Sequence, residues 1–305
     1  MEQLLRSLFL SLAKNRTINE WAKRYGLRMG AQRFVAGETI EQAIDVIRSL
    51  NRQGMAATLD HLGEFVRDES EANEAADFCI KTLTAIHESN VQASLSLKMT
   101  QMGLDIRRGL CLTNMRRILE TARQFDLLVT IDMEDYSHCQ ITLDIFRELR
   151  KEYNNLGTVI QAYLHRSLED VILLNQSPSQ HLRIVKGAYK ESPAVAYADK
   201  ADVDANYVKL VEAQLLGSGF TATATHDERI IHTVKQFIEK HGIAKQNYEF
   251  QMLYGIRTNL QSTLVDEGHP VRIYVPYGND WYGYFMRRLA ERPANVGFVV
   301  RGMFR

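Results

Sequence analysis

Eight short β-rich runs recur along the chain, each followed by a stretch that can form a helix, and this repetition limits the fold more than any single motif does. The runs are MAATLDHLG (55–63), VQASLSLKM (91–99), LLVTIDME (127–134), GTVIQAY (157–163) and LRIVKGAY (182–189). FTATATH (220–226), YEFQMLYG (248–255) and VRIYVPYG (271–278) complete the set. Strands alternating with helices at intervals of roughly 25–35 residues predict an α/β fold, a (β/α)8 barrel. A doubly wound sheet is the runner-up, but no G-x-G-x-x-G opens a helix after any of these runs. Residues 1–52 read as a helical arm. In it, Thr39-Ile40-Glu41-Gln42 fits a capping box, and Ile40, Ala43, Ile44, Ile47 and Leu50 continue at helical spacing. No linker rich in Pro, Gly or Ser divides the chain, so residues 53–305 are expected to form the barrel and the whole to be one structural domain.

Composition removes several classes of function. Lys+Arg and Asp+Glu both number 37, which leaves no global basic field for nucleic acid. No run approaches the roughly 20 apolar residues that span a bilayer. The first residues, MEQLLRSLFLSLAKNR, are amphipathic but lack the basic start and small-residue cleavage site of a signal peptide. Cys79, Cys111 and Cys139 are far apart and form no C-x-x-C pair. Neither a disulfide framework nor a metal site is expected, each cysteine reads as a packing residue, and a reducing cytoplasm fits.

The polar residues inside the runs carry more. Side chains two apart on a strand share a face. Ser94, Ser96 and Lys98 therefore oppose Leu95 and Leu97, and Thr130 and Asp132 oppose Val129, Ile131 and Met133. Thr221, Thr223 and Thr225 line up, as do Glu249, Gln251 and Leu253, and Arg272 and Tyr274. The apolar faces would pack on outer helices, which leaves the polar faces pointing into the barrel. Barrel interiors are usually filled by Val, Ile and Leu. This interior polarity predicts either a bound ligand or a hydrogen-bonded polar core. Asp60, Lys98, Asp132, Gln161, Lys186, His226, Gln251 and Tyr274 fall at the carboxyl ends of the runs, where barrel enzymes keep their chemistry.

A further stretch, YVPYGNDWYGYFMRRLAER (274–292), reads as strand, Gly-containing turn and short helix. Asn279 or Asp280 can cap that helix. Tyr284, Arg287, Arg288 and Glu291 are three or four residues apart and meet on its surface. Two adjacent guanidiniums suit a carboxylate or phosphate; the competing reading is a solvated basic patch braced by Glu291.

Taken together, RIVKGAY (183–189), THD (225–227), EFQMLYG (249–255), RIYVPYG (272–278) and YFMRRLAE (284–291) resemble the monofunctional proline dehydrogenases. The resemblance runs from LDHLGEFV (59–66) to the final arginines. It implies a distorted (β/α)8 barrel, non-covalent FAD, and oxidation of L-proline to Δ1-pyrroline-5-carboxylate by hydride transfer, with electrons passed to a quinone at a membrane surface. By motif position it implies that Arg287, Arg288 and Lys98 meet the substrate carboxylate. Tyr274, Tyr284 and Leu253 would wall the pyrrolidine ring, Glu291 would orient the arginines, and Asp132 would join the network on the substrate side. Gln161, Arg183, Val185, Lys186, Gly187, Ala188, Thr225, His226 and Gln251 match cofactor contacts, with Arg183 tuning the flavin and no residue assigned as a general base. Arg183 and Lys186 would face opposite ways in a regular strand, so the strand is expected to end or bulge near Gly187. The chain carries Lys190 and Asp227 where many relatives have an aromatic residue and Asn. Two rival functions are a Schiff-base aldolase or lyase using Lys98 or Lys186, and a non-catalytic binding barrel.

Overall fold

The computed structural model describes residues 33–63 and 66–291, without the side chains of residues 287 and 289–291. The strands are β1 (Ala56–His61), β2 (Ala93–Leu97), β3 (Val129–Ile131), β4 (Leu156–Gln161), β5 (His181–Val185), β6 (Phe220–Ala224), β7 (Tyr248–Leu253) and β8 (Val271–Tyr277). They pair in parallel and in chain order, and β8 returns to β1 with Thr58 opposite Tyr274. The sheet is a closed barrel, which excludes the doubly wound alternative. All eight expected strands are present, each shorter than the run that announced it.

The described helices are α1 (Ile40–Arg52), α2 (Glu69–Glu88), α3 (Arg108–Gln124), α4 (Tyr136–Arg150) and α5 (Ser167–Leu174). They continue as α6 (Lys200–Leu215), α7 (Glu228–His241), α8 (Thr258–Asp266) and α9 (Trp281–Glu291). Residues 1–32 of the expected arm lie outside the described residues. At α1 the capping box forms as expected, with the Gln42 N–H donating to Thr39 and the Gln42 side chain accepting from the Thr39 N–H. Ala43, Ile44, Ile47 and Leu50 are buried in the same core as the barrel. The chain before α1 is tied to β8, since the Ala36 N–H donates to the Pro276 carbonyl.

The main core lies between sheet and helices. Leu95, Leu97, Val129, Ile131, Ile184, Phe250, Ile273 and Val275 point outward and are almost wholly buried. They share one cluster with Leu83 and Ile86 of α2, Met115 and Ile118 of α3, and Val211 of α6. Burial of each such side chain stabilises the fold by roughly 1.5–3 kcal/mol. Cys79, Cys111 and Cys139 are free and buried there, and burial raises all three thiol pKa values, to about 12 for Cys111. They act as packing residues, since an inert buried thiol offers no thiolate. With the apolar residues committed outward, period-two alternation sends the polar ones inward.

Candidate active site

The inward polar residues form two layers. In the layer nearer the strands' amino ends, the Arg272 Nε lies 2.7 Å from Glu249 Oε1, and its Nη1 donates to the Ala57 carbonyl at 2.7 Å. Ser94 is 3.3 Å from the same guanidinium and 2.9 Å from Thr58 Oγ1. The space left here is about 10 Å³, the size of one water. This layer is the hydrogen-bonded polar core that sequence alternation allowed.

Two residues further along each strand, the arrangement opens. Asp132, one residue past β3, is the hub. Its Oδ1 accepts from Arg183 Nη1 at 2.6 Å and Ser96 Oγ at 2.7 Å, and its Oδ2 accepts from the Tyr274 hydroxyl at 2.6 Å. Lys98, one residue past β2, stands 3.3 Å from Asp60 and 3.8 Å from Asp132. The Arg183 guanidinium also lies 5.3 Å above the Tyr274 ring, a cation–π contact. Burial, reinforced by Asp132, raises the Tyr274 pKa well above 10, so the phenol remains a proton donor to that carboxylate.

Above this hub lies a cleft of about 730 Å³. It is lined by every residue that the sequence assigned to substrate or cofactor and whose side chain is described: Lys98, Asp132, Gln161, Arg183, Val185, Lys186, Gly187, Ala188, Thr225, His226, Gln251, Leu253, Tyr274, Tyr284 and Arg288. The side chains of Arg287 and Glu291 lie outside the described residues. On α9, Arg288 is 5.0 Å over the Tyr284 ring, the i, i+4 relation read from the sequence.

The conflict between Arg183 and Lys186 resolves as expected. β5 ends at Val185 and Gly187 has φ +110°, so the chain turns between them. The glycine is required for a further reason that the sequence did not show: a Cβ there would fall 2.2 Å from the Tyr163 ring. Lys186 then reaches Asp204 of α6 at 2.5 Å and Asp227 at 3.2 Å. Asp227 also caps α7 by accepting from the Arg229 N–H. Lys200 pairs with the same two carboxylates. His226 accepts from the Leu253 N–H through Nε2 at 2.9 Å, which occupies a nitrogen that a general base would use.

Gln161 donates from its amide nitrogen to the carbonyls of Met133 and Glu134, at 3.4 and 3.0 Å. Its Oε1 is buried and has no hydrogen-bond partner among the described residues. An orphaned acceptor beside a large cleft fits a ligand with an N–H to give.

Sequence reasoning missed Asp204, Lys200 and Arg257 as neighbours of the cleft. Lys200 and Asp204 are four apart on a helix, which is legible, but their convergence with Lys186 is tertiary. Arg257 adopts φ +53° and donates to the His226 carbonyl at 3.2 Å. A positive φ at arginine carries no sequence signal.

A closed parallel barrel whose carboxyl end opens into one deep cleft, rimmed by cations and buried carboxylates, defines a barrel enzyme. A family model described as proline dehydrogenase matches residues 43–301. Proline dehydrogenase 1 of Bacillus subtilis (strain 168) is 51% identical over 302 residues, covering 99% of this chain and 100% of that one. Proline dehydrogenase of Deinococcus radiodurans is 45% identical over 310 residues, covering 100% and 99%. Among solved structures, proline utilization A (PutA) from Bdellovibrio bacteriovorus, inactivated by N-propargylglycine, superposes with a TM-score of 0.81 at 28% identity. That match covers 90% of this chain and 34% of the longer PutA chain. The chain belongs to the proline dehydrogenase family. It is an oxidoreductase of proline oxidation, the first step of proline catabolism, in a generally flavin-dependent family. The Schiff-base alternative has no support. Lys98 and Lys186 each stand between two carboxylates rather than in an apolar pocket that would activate an amine.

Proposed function

We propose that the cleft holds FAD non-covalently and seats L-proline between the flavin and the Tyr274–Tyr284 wall, giving Δ1-pyrroline-5-carboxylate. The observation that carries this reading is the convergence of Arg288, Lys98 and Tyr274 on the same cleft as Gln161, Arg183 and Gln251. The residues fit the cofactor. The unpartnered Gln161 Oε1 suits a ring N–H, and the buried Arg183 suits a ring that gains electron density on reduction. When bound, the flavin would supply the acceptor for a hydride from the ring carbon beside the proline nitrogen.

The protein's own work is positioning. Asp60, Asp132, Lys98 and Arg183 are two carboxylates and two cations in mutual contact, so their charges cancel. Arg288, with Arg287 beside it in sequence, lines the cleft together with Tyr274 and Tyr284 and is the main anchor for the proline carboxylate, with Lys98 as a donor already held in place. Fixing a remote carboxylate orients the reacting carbon, and positioning of this kind contributes roughly 7–11 kcal/mol. Proline nitrogen must be neutral to release hydride. His226 is engaged by a backbone N–H and Asp132 by three donors, so the proton leaves to water.

Electrons then pass to a quinone, with membrane contact peripheral. Among the described residues no helix is long and apolar enough to cross a membrane. The test is an absorption spectrum of the purified protein. A flavin spectrum that bleaches anaerobically on adding L-proline, and recovers with a soluble quinone, is the expected result. A colourless protein that binds no added FAD would sink the reading.

A further inference from the structure

Gln251, like Arg183, lies where the two barrel layers meet, lining both the cleft and the small void beneath it. Its amide nitrogen donates to Glu249 Oε1 at 2.6 Å. The same oxygen receives Arg272 Nε at 2.7 Å, and Arg272 is fixed by the Ala57 carbonyl and Ser94. A carboxylate accepts and does not donate, so it dictates which end of the carboxamide faces down. With the amide nitrogen held below, the carbonyl is the end left for the cleft. Gln161 repeats the pattern on β4, three strands away, its nitrogen spent on two backbone carbonyls and its oxygen unpartnered.

We infer that Glu249, braced by Arg272, is a positioning residue that fixes the sense of the Gln251 carboxamide, so that the cleft offers a carbonyl rather than an NH2 to the flavin. The inference rests on the reading of the cleft as the flavin site. In a Glu249→Gln variant, either carboxamide can donate to the other, and Gln251 becomes free to turn over. A turned Gln251 places an N–H donor against the ring. Donors favour the electron-rich reduced ring over the oxidised one, so the midpoint potential rises.

The experiment is a double-mutant cycle read by flavin midpoint potential and by the Kd for FAD. Glu249→Gln is compared with its parent, and again in a Gln251→Met background. The expected result is a tenfold shift toward the reduced form in the Gln251 background, about 30 mV for a two-electron couple, with Kd for FAD up several-fold. In the Gln251→Met background the shift should vanish. Equal shifts in both backgrounds would mean that the Glu249 charge acts on the flavin directly and would overturn the inference, as would no shift in either. If Glu249→Gln fails to accumulate, the pair Glu249→Gln/Arg272→Met, which removes both charges together, is put through the same cycle with the same criteria. A parent that bleaches with proline while the cycle shows no coupling defeats this inference alone. A parent that binds no FAD defeats the flavin reading as well.

Discussion

The two layers of the barrel interior use the same chemistry to opposite ends. Below, Arg272 and Glu249 pair at 2.7 Å; above, Arg183 and Asp132 pair at 2.6 Å. The same strands supply both: β8 gives Arg272 and then Tyr274, β7 gives Glu249 and then Gln251, β2 gives Ser94 and then Ser96. Two residues of rise, about 6–7 Å, separate them. The lower layer closes on itself around a space the size of one water, and the upper one opens into about 730 Å³. Inward polarity alone therefore does not identify a site. What identifies it is which ion pair has a cleft beside it, and the lower pair serves as the floor on which the upper one stands.

The largest effect expected of this contrast is on stability. Arg272→Met would leave the Glu249 carboxylate, 8% exposed, without its cation. Stranding a buried charge costs about 3–5 kcal/mol, and replacing both partners by apolar residues recovers much of it. Urea midpoints of the parent, Arg272→Met and Arg272→Met/Glu249→Met measure this. A single variant as stable as the parent would show that the lower layer is not a structural floor.

His181 gives the same layer a pH signature. It begins β5 and stacks on Phe220 at 4.4 Å. Burial, opposed by Glu249 and reinforced by Arg272 and Arg150, lowers its pKa to about 4. The unfolded chain takes up the proton near pH 6.5 and the folded one only near 4, so stability is intact above 6.5 and falls as pH drops between these values. The loss is about 2–3 kcal/mol by pH 4. His181→Gln should flatten the acid limb of the stability profile. An unchanged limb would remove His181 as its cause.

The upper layer should show the reverse balance, with function moving and stability holding. On the proposed seating of proline, Arg288→Ala removes a charge-assisted contact to the substrate carboxylate, which is worth about 1.5–3 kcal/mol. The KM for proline should rise about 10- to 100-fold, while urea midpoint and FAD content stay near the parent. If KM holds and the midpoint falls, Arg288 belongs with the structural set instead.

Much of this division was legible before any coordinates. Period-two alternation gave the inward faces, and the eight runs gave the barrel, because both depend on local spacing. Depth within the barrel was not legible. Alternation cannot say that Arg272 closes below while Tyr274 faces a cleft, since that depends on the stagger of all eight strands. Pairings such as Tyr274 with Asp132, or Lys186 with Asp204, join distant segments and have no local signal. The turn at Gly187 was legible from the clash between Arg183 and Lys186, but its packing against Tyr163 was not.

The smallest effect lies on the rim, outside both layers, and has the opposite sign from His181. His138 of α4 sits 2.7 Å from Asp135 through Nδ1 and 2.8 Å from Asp105 through Nε2. A neutral imidazole donates from only one nitrogen, so serving both carboxylates requires the imidazolium. Burial alone would lower its pKa; the bonds to Asp105 and Asp135 overcome that and raise it above 6.5. The contribution is complete below pH 6.5, the unfolded value, and is lost as pH rises through the higher folded value. Asp105 and Asp135 are 64% and 44% exposed, so solvent screening holds the effect to roughly 0.5 kcal/mol. Unfolding free energies of the parent and His138→Gln, measured from pH 6 to pH 9, should diverge below neutrality and converge in alkali. Parallel curves would place the alkaline slope elsewhere.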